Sequence, residues 1–437
     1  MMNAKQPQVT VFWFRRDLRL DDNAGLYQAL KAHENVLPLF IFDRTILSLL
    51  PELDLRVNFI HQTLQVIKAE LQKKGSDLFV EYGEPYEVFK KIFSIYQVNA
   101  VYTNHDYEPA AIARDKKILD LAQSKQIQFL SYKDQCIFEN KEVVTDQQKV
   151  YTVYTPYKKK WIASLSPFYL KSYANEKHDA NYLKVKKALP LISLAEMNFK
   201  VSDFEFPDKG LSKKMLSNYA EKRDFPAVDA TSRLGIHLRF GTLSIRGLVR
   251  EAKKNSEVWL SELIWREFFM QILFHFPHVE KSSFRPQYEK IAWRNNQAEF
   301  KKWCDGETGY PMVDAGMREL NATGFMHNRV RMVAASFLTK HLLMHWYQGE
   351  RYFAEKLLDY DLSANNGNWQ WAAGTGCDAA PYFRIFNPTS QLERFDAELK
   401  YVKKWVSEHG TDKYPAPMVE HTFARDRALT EFKKGLT

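Results

Sequence analysis

The hydrophobic and polar positions change rhythm along the chain. In the first third, short apolar runs at 9–14, 36–42, 78–82, 100–103 and 127–131 alternate with longer amphipathic stretches. The clearest stretch places Ile60, Leu64, Ile67 and Leu71 at the i, i+4, i+7 rhythm of one helical face. Helices are also predicted over 84–97, over 108–125 and from Asn23 onward. Strands alternating with helices of this length predict right-handed βαβ units. The expected fold is an α/β domain over 1–135 with a doubly wound, five-stranded parallel sheet. No G-x-G-x-x-G and no Walker A sequence follows the first strand. A ligand of this domain would therefore sit in the crevice at the strands' carboxyl ends, beside Phe14-Arg15-Arg16-Asp17-Leu18-Arg19.

Residues 136–205 carry no sustained period and are expected to be an interdomain linker. Within them Tyr157-Lys158-Lys159-Lys160-Trp161 reads either as a phosphate contact or as a solvated face. From 206 to 437 the pattern is almost wholly helical, which predicts an all-α second domain.

Composition narrows the class. The 437 residues are 45% hydrophobic and 26% charged, as in ordinary globular chains, but 14% are aromatic. That surplus suits thick helix packing or a site that stacks planar ligands. A net charge of +9 favours an anionic partner, nucleic acid first. Cys136, Cys304 and Cys377 are far apart and show no metal-ligand spacing, so neither a disulfide framework nor a metal site is expected. Arg15 and Arg16 interrupt the N-terminal apolar run, and no stretch reaches the ~18 apolar residues of a membrane span. A soluble, cytoplasmic protein is expected.

Candidate chemistry concentrates in the helical half. Glu262, Trp265, Arg266 and Phe269 fall at i, i+3, i+4 and i+7 and share a face. A carboxylate, an indole and a guanidinium together read as a pocket wall; the bland alternative is a surface ion pair beside an incidental Trp. On a helix expected to run from Asn328 to about Trp346, Asn328 faces with Met332, and His327 with Arg331. Asn offers donors and an acceptor to a base edge, and Met adapts to flat, irregular shapes. Arg331 is a partner for Asp359 or Asp361. The stretch from Asp359 to Trp371 holds two Asp, three Asn and a Gly in thirteen residues, a composition suited to caps and turns. It reads as a helix–loop–helix corner or a lined pocket. Thr231-Ser232-Arg233 reads as N-cap material ahead of a helix, a place that suits phosphates.

Together these segments resemble the photolyase/cryptochrome family, most closely its class I cyclobutane pyrimidine dimer enzymes. The likeness begins at Phe12-Trp13-Phe14-Arg15-Arg16-Asp17-Leu18-Arg19-Leu20 and is densest from Trp259 to Arg384. It includes Ala379-Ala380-Pro381-Tyr382-Phe383-Arg384-Ile385-Phe386-Asn387-Pro388. The resemblance implies a helical domain that clasps FAD. Tyr219, Thr231, Ser232, Arg233, Leu234, Trp259, Asp359 and Asp361 would surround the flavin, with Arg331 paired to an Asp beside the ring. Asn365 would face flavin N5. Trp369, Trp346 and Trp293 match the family's electron relay. Glu262, Trp265, Asn328, Met332 and Trp371 would line a pocket for a flipped-out dimer, with a protonated Glu262 donating to a carbonyl oxygen. Arg223, Arg266, Arg329, Arg384 and Gln391 would hold the DNA backbone around the lesion.

The implied activity is light-driven repair of cyclobutane pyrimidine dimers, in single- or double-stranded DNA, by a monomeric deoxyribodipyrimidine photo-lyase. A second, antenna chromophore would be a folate or a deazaflavin. Ala110-Ala111 stand where folate-type members carry Asn-Glu after the pair matching Tyr107-Glu108, so the choice stays open. Three rivals remain. A (6-4) photoproduct enzyme would usually place His at Met332. A light-signalling cryptochrome would commonly extend well past a residue such as Thr437. A flavin-free nucleic-acid-binding protein would be colourless.

Overall fold

A computed structural model describes residues 7–436. The chain divides into two compact units. One takes the chain up to Glu139 together with Leu165–Lys209 and Leu234–Glu251; the other takes Asn140–Ser164, Gly210–Arg233 and the chain from Ala252.

The first unit holds one sheet of five parallel strands: β1 (Gln8–Phe14), β2 (Val36–Asp43), β3 (Phe79–Gly83), β4 (Gln97–Asn104) and β5 (Gln128–Tyr132). Their order is β3-β2-β1-β4-β5, the doubly wound arrangement expected. Central β1 and β2 are buried almost end to end and so read as unbroken apolar runs, while the edge strands β3 and β5 are only half buried. β4 starts at Gln97 rather than at 100, because Gln97 and Val98 pair with Gln8 and Val9. The flanking helices begin where local chemistry allows. Asn23 accepts from the Leu26 amide ahead of Ala24–Ala32, and Asp54 from Arg56 ahead of Leu55–Lys73. Pro85 and Pro109 open Pro85–Ile95 and Pro109–Ser124.

Beyond β1 and β4, where a ligand of this domain would sit, the protein's own side chains pin the Phe14–Arg19 turn, and a cavity of about 210 Å³ lined by Leu18, Arg19, Phe59 and Phe206 lies beside it. Asp134 accepts from Arg19 at 2.7 Å and from Arg246 at 2.8 Å, and Arg246 also reaches Asp22 at 2.8 Å. Asn104 donates to Asn23 at 2.8 Å and to Asp17 at 2.5 Å. Burial works to raise the Asp134 pKa, but the two guanidinia hold it below its ordinary value; Asp17, with less compensation, is raised by burial. Buried charges persist only when paired in this way. The Phe14–Arg19 turn is a structural knot.

Segment 136–205 is shared between the units instead of linking them. The helix Tyr154–Ser164 buries Tyr157 and Trp161, each 1% exposed, so its aromatics serve packing and not phosphate contact. Further on, the Leu183 amide bonds to Val36 at the start of β2, which ties that stretch to the sheet.

The second unit is helical around an apolar core that includes Trp303, Met312, Leu338, Trp346, Phe353 and Trp369. Two expectations are corrected here for identifiable reasons. The corner expected over Asp359 to Trp371 is confined to its first three residues, between Trp346–Lys356 and Leu362–Ala373; the rest is a regular helix, capped by Asp361 and closed by Gly374 at φ +84°. Its amides are held from outside, Asn366 and Gln370 both donating to the Val279 carbonyl at 2.8 and 3.0 Å. Tertiary bonds thus override a poor helix propensity. Conversely, the helix expected over 328–346 breaks. Asn328–Ser336 passes into a π-turn at Phe337–His341, Leu343 takes φ +51°, and a new helix, Trp346–Lys356, begins.

Candidate functional site

Three helices of the second unit wall a cavity of about 340 Å³. Glu257–His275 contributes Glu262, Trp265, Arg266 and Phe269, the face read from the i, i+3, i+4, i+7 spacing. Asn328–Ser336 contributes Asn328 and Met332, and Leu362–Ala373 contributes Ala364, Asn368 and Trp371. Arg223, just past the helix Lys213–Lys222, completes the lining. A glycine sets the helix spacing: a methyl group on Gly367 would lie 2.1 Å from Phe269 Cδ1.

Two indoles, a thioether and two carboxamides line this space together with one ion pair. Arg223 Nη1 donates to Glu262 Oε1. Burial works against the Arg223 charge, but the Glu262 carboxylate outweighs it and raises the guanidinium's pKa. Glu262, expected to donate to a dimer when protonated, accepts here from Arg223. Trp265 lies against Tyr154, ring centroids 3.5 Å apart and planes within 8°. His327 caps Asn328–Ser336 by accepting from the Arg329 amide, and burial lowers its pKa to about 4.

A second group of side chains lies on the adjoining elements. Arg331 Nη2 meets Asp359 Oδ2 at 3.0 Å and its Nε donates to the Met326 carbonyl at 2.7 Å. Of the two candidate partners Asp359 takes the ion pair, while Asp361 caps the following helix. Asn365 donates to Glu350, whose pKa burial pushes up to about 7. The Asn365 Oδ1 atom has no protein partner among the described residues, so this buried amide offers a ligand an acceptor only. An N–H at flavin N5 is the matching donor, and the donor set fits FAD on that ground. Tyr219 lies under the Arg223 guanidinium at 5.6 Å, and Trp259 is 3% exposed in the first turn of its helix. The helix Gly235–Phe240 starts after Leu234, which belongs to the sheet unit. Arg233 stacks over Phe325 at 5.0 Å.

Of the three relay candidates, Trp346 and Trp369 belong to one apolar core and the partly buried Trp293 packs against it. Trp293 and Trp346 both contact His345, at 5.3 and 5.6 Å between ring centroids. Trp369 contacts Phe353 at 4.9 Å and Trp303 at 6.1 Å; its ring contacts among the described residues do not include Trp346.

Three expected backbone contacts do not line the cavity. Arg329 pairs with Asp224 at 2.8 Å, Arg384 lies over Phe386 at 5.8 Å, and Gln391 keeps a buried, unpartnered Oε1. Sequence reasoning missed Asn368, Glu350 and Tyr154. Asn368 was recoverable as the i+4 neighbour of Ala364 on a helix. Glu350 and Tyr154 act through partners distant in sequence and left no local signal.

Among the described residues no helix is long and apolar enough to cross a membrane, and no cluster of three or more metal-ligating side chains occurs. The cysteines are free and buried.

Comparison with known proteins agrees with this geometry. Residues 259–411 match the profile described as the FAD binding domain of DNA photolyase, and 10–176 that described as DNA photolyase. A deoxyribodipyrimidine photo-lyase of Synechococcus is 34% identical, covering 94% of this chain and 93% of its own. One of Halobacterium salinarum is 34% identical over 97% and 99%. Among solved structures, a class III photolyase of Agrobacterium tumefaciens covers 100% of the chain and 99% of its own at TM-score 0.86 and 31% identity. An archaeal photolyase from Sulfolobus tokodaii with two FAD molecules covers 98% and 100% at 0.82 and 35%. With relatives matched over nearly their whole length and the FAD-binding profile lying across the cavity-bearing helices, the chain belongs to the DNA photolyase family.

Proposed function

We propose that this protein is a deoxyribodipyrimidine photo-lyase that uses FAD and light to repair cyclobutane pyrimidine dimers in DNA. The observation that carries the reading is the cavity that sets two indoles, Trp265 and Trp371, beside the amide of Asn328. FAD, when bound in reduced form, supplies the light-driven electron donor. Arg331, Asp359, Asp361 and Asn365 would hold it, with Tyr219, Thr231, Ser232, Arg233, Leu234 and Trp259 completing its surroundings.

The chain's own task is to bind, orient and keep water away. Extruding a dimer from the duplex costs a few kcal/mol, less than for intact bases because the lesion stacks poorly. Stacking on an aromatic face returns ~1–3 kcal/mol per base, so two indoles are enough to offset the extrusion. Asn328 reads pyrimidine edges with both donor and acceptor, and Met332 fits the irregular saddle of fused rings. Glu262, which accepts from Arg223 through Oε1, has a second oxygen that suits an imide N–H. A proton gained there would make it a donor to a carbonyl oxygen as negative charge develops. Arg266 and Arg329, with Arg384 and Gln391, would hold phosphates, which concentrates the net charge of +9 where it is used and makes binding salt-sensitive.

The class I assignment rests on the motif residues alone, and the Agrobacterium structure that spans the chain is a class III enzyme. A monomer is proposed. A cytoplasmic site is proposed because it keeps the three buried thiols reduced. An antenna pigment would belong to the sheet unit, as a folate or a deazaflavin. There Tyr107 already donates to Glu139 at 2.6 Å and Glu108 already pairs with Arg16 at 2.6 Å.

The test is direct. Flavin-loaded, reduced protein under near-ultraviolet or blue light should restore thymine-dimer oligonucleotides to intact DNA. Absent or light-independent repair would overturn the reading.

A further inference from the structure

Tyr154 does not line the cavity, yet it covers one face of an indole that does. Its ring lies 3.5 Å from that of Trp265 with planes 8° apart, closer than the roughly 4.5–7 Å of ordinary aromatic pairs. We propose that Tyr154 is a positioning residue that sets the plane of Trp265 and thereby the geometry of the dimer-stacking wall; the proposal rests on the repair reading above.

Both ends of Tyr154 are tied, and to different walls. Its hydroxyl contacts Ser261 Oγ at 2.6 Å and donates to the Ser261 carbonyl at 2.8 Å. Ser261 stands one turn before Trp265 on the same helix, so ring and tether move together. The Tyr154 amide donates to Asp378 Oδ2 at 2.9 Å. Asp378 follows closely on Leu362–Ala373, the helix that carries Trp371. One residue is thus bonded to the element bearing Trp265 and to the chain leaving the element that bears Trp371.

The support behind Tyr154 is itself fixed. It opens the helix Tyr154–Ser164, which is bonded to the cavity helix further along. Tyr157 Oη donates to Glu267 Oε1 at 3.2 Å and Trp161 Nε1 to the same atom at 2.6 Å. Glu267 is 2% exposed, so these bonds are made in a dry environment where they are strong. An indole on a helix otherwise rocks about its terminal torsion, which is broad for aromatic side chains. Stacking on a planar lesion needs the ring held in one plane before the lesion arrives, and a preorganised face loses less entropy on binding.

The test compares affinity for dimer-containing and undamaged oligonucleotides in flavin-loaded protein. Tyr154→Leu should weaken dimer binding by ~5- to 20-fold and raise KM in proportion, a loss the size of one aromatic contact. Affinity for undamaged DNA, flavin content and the visible spectrum should not move. Tyr154→Phe, which keeps the ring, should recover dimer binding to within about threefold of wild type. Equal losses on both DNAs, or dimer binding by Tyr154→Leu within about twofold of wild type, would overturn the proposal. If Tyr154→Leu loses its flavin, Tyr154→Met decides: it keeps side-chain bulk without a ring, and a dimer-specific loss supports the proposal where none overturns it. Wild-type protein that does not discriminate the two DNAs would instead overturn the repair reading beneath it.

Discussion

Asn365 spends both amide hydrogens on Glu350, donating to its main-chain carbonyl at 3.0 Å and to its Oε1 at 2.8 Å. The carboxamide is thereby fixed, and its Oδ1 has no protein partner among the described residues. Glu350 is 3% exposed, and burial carries its pKa from 4.5 to about 7, offset only in part by the Asn365 bond.

This has a pH consequence of definite sign. The folded state keeps the Glu350 proton more tightly than the unfolded chain does, so its contribution to stability is full below pH 4.5 and is lost as pH rises through 7. The size is about 3 kcal/mol. Glu350→Gln removes the titration while keeping an acceptor. The thermal midpoint of the variant relative to wild type should therefore rise between pH 5 and pH 8. A difference that stays constant with pH would show that Glu350 is already ionised in the fold.

A second expectation concerns Gly367. Its absent side chain lets Leu362–Ala373 approach Phe269, whose ring would meet an added methyl at 2.1 Å. Gly367→Ala should cost ~1–3 kcal/mol through overpacking, against the gain that alanine normally brings inside a helix. It should also weaken dimer binding, because Phe269 lines the cavity. Urea unfolding of variant and wild type is the check, and a stabilised variant would refute the close-approach argument.

The sheet and the cavity face were legible for different reasons. β1 and β2 are covered on both sides, so burial writes itself into the sequence as unbroken apolar runs. Glu262, Trp265, Arg266 and Phe269 share a face by helical geometry alone. The helix Leu362–Ala373 was hidden because what stabilises it is distant: Val279 and Glu350 take the amide hydrogens that would otherwise favour a turn. The break after Ser336 was hidden for a related reason. A π-turn adds residues without changing their apolar character, and Phe337, Leu338 and Leu342 read like any helix. The stretch 136–205 lacks period because its parts serve two cores.

The Arg331–Asp359 pair offers a third check. Its members are about a quarter exposed, so the pair itself contributes little to stability. Its proposed role is beside the flavin ring, where a bound cofactor would shield it from water. Arg331→Met and Asp359→Asn should each cut flavin retention about tenfold with folding intact, and the double variant should lose less than the sum. The flavin-to-protein absorbance ratio after gel filtration reads this directly. Full retention in both single variants would remove the pair from the cofactor site.

The last expectation separates electron supply from repair. Trp369 is 2% exposed and packs against Phe353 and Trp303, with Gly349 leaving room for its ring. Trp369→Phe keeps an aromatic ring of similar shape in that space, so packing should fall by only about 1–2 kcal/mol. What it removes is the readily oxidised indole. Photoreduction of oxidised flavin should slow at least about tenfold, since each ~1.4 kcal/mol added to a barrier is one decade in rate. Repair by protein reduced beforehand should stay near the wild-type rate, because that step draws on an electron already present. Trp303→Phe serves as the control, altering the packing against Trp369 while leaving the three proposed relay indoles in place. Two outcomes count against the relay. If photoreduction survives in Trp369→Phe, electrons reach the flavin by another route; if repair by pre-reduced protein also collapses, Trp369 matters for holding the site together rather than for supplying its electrons.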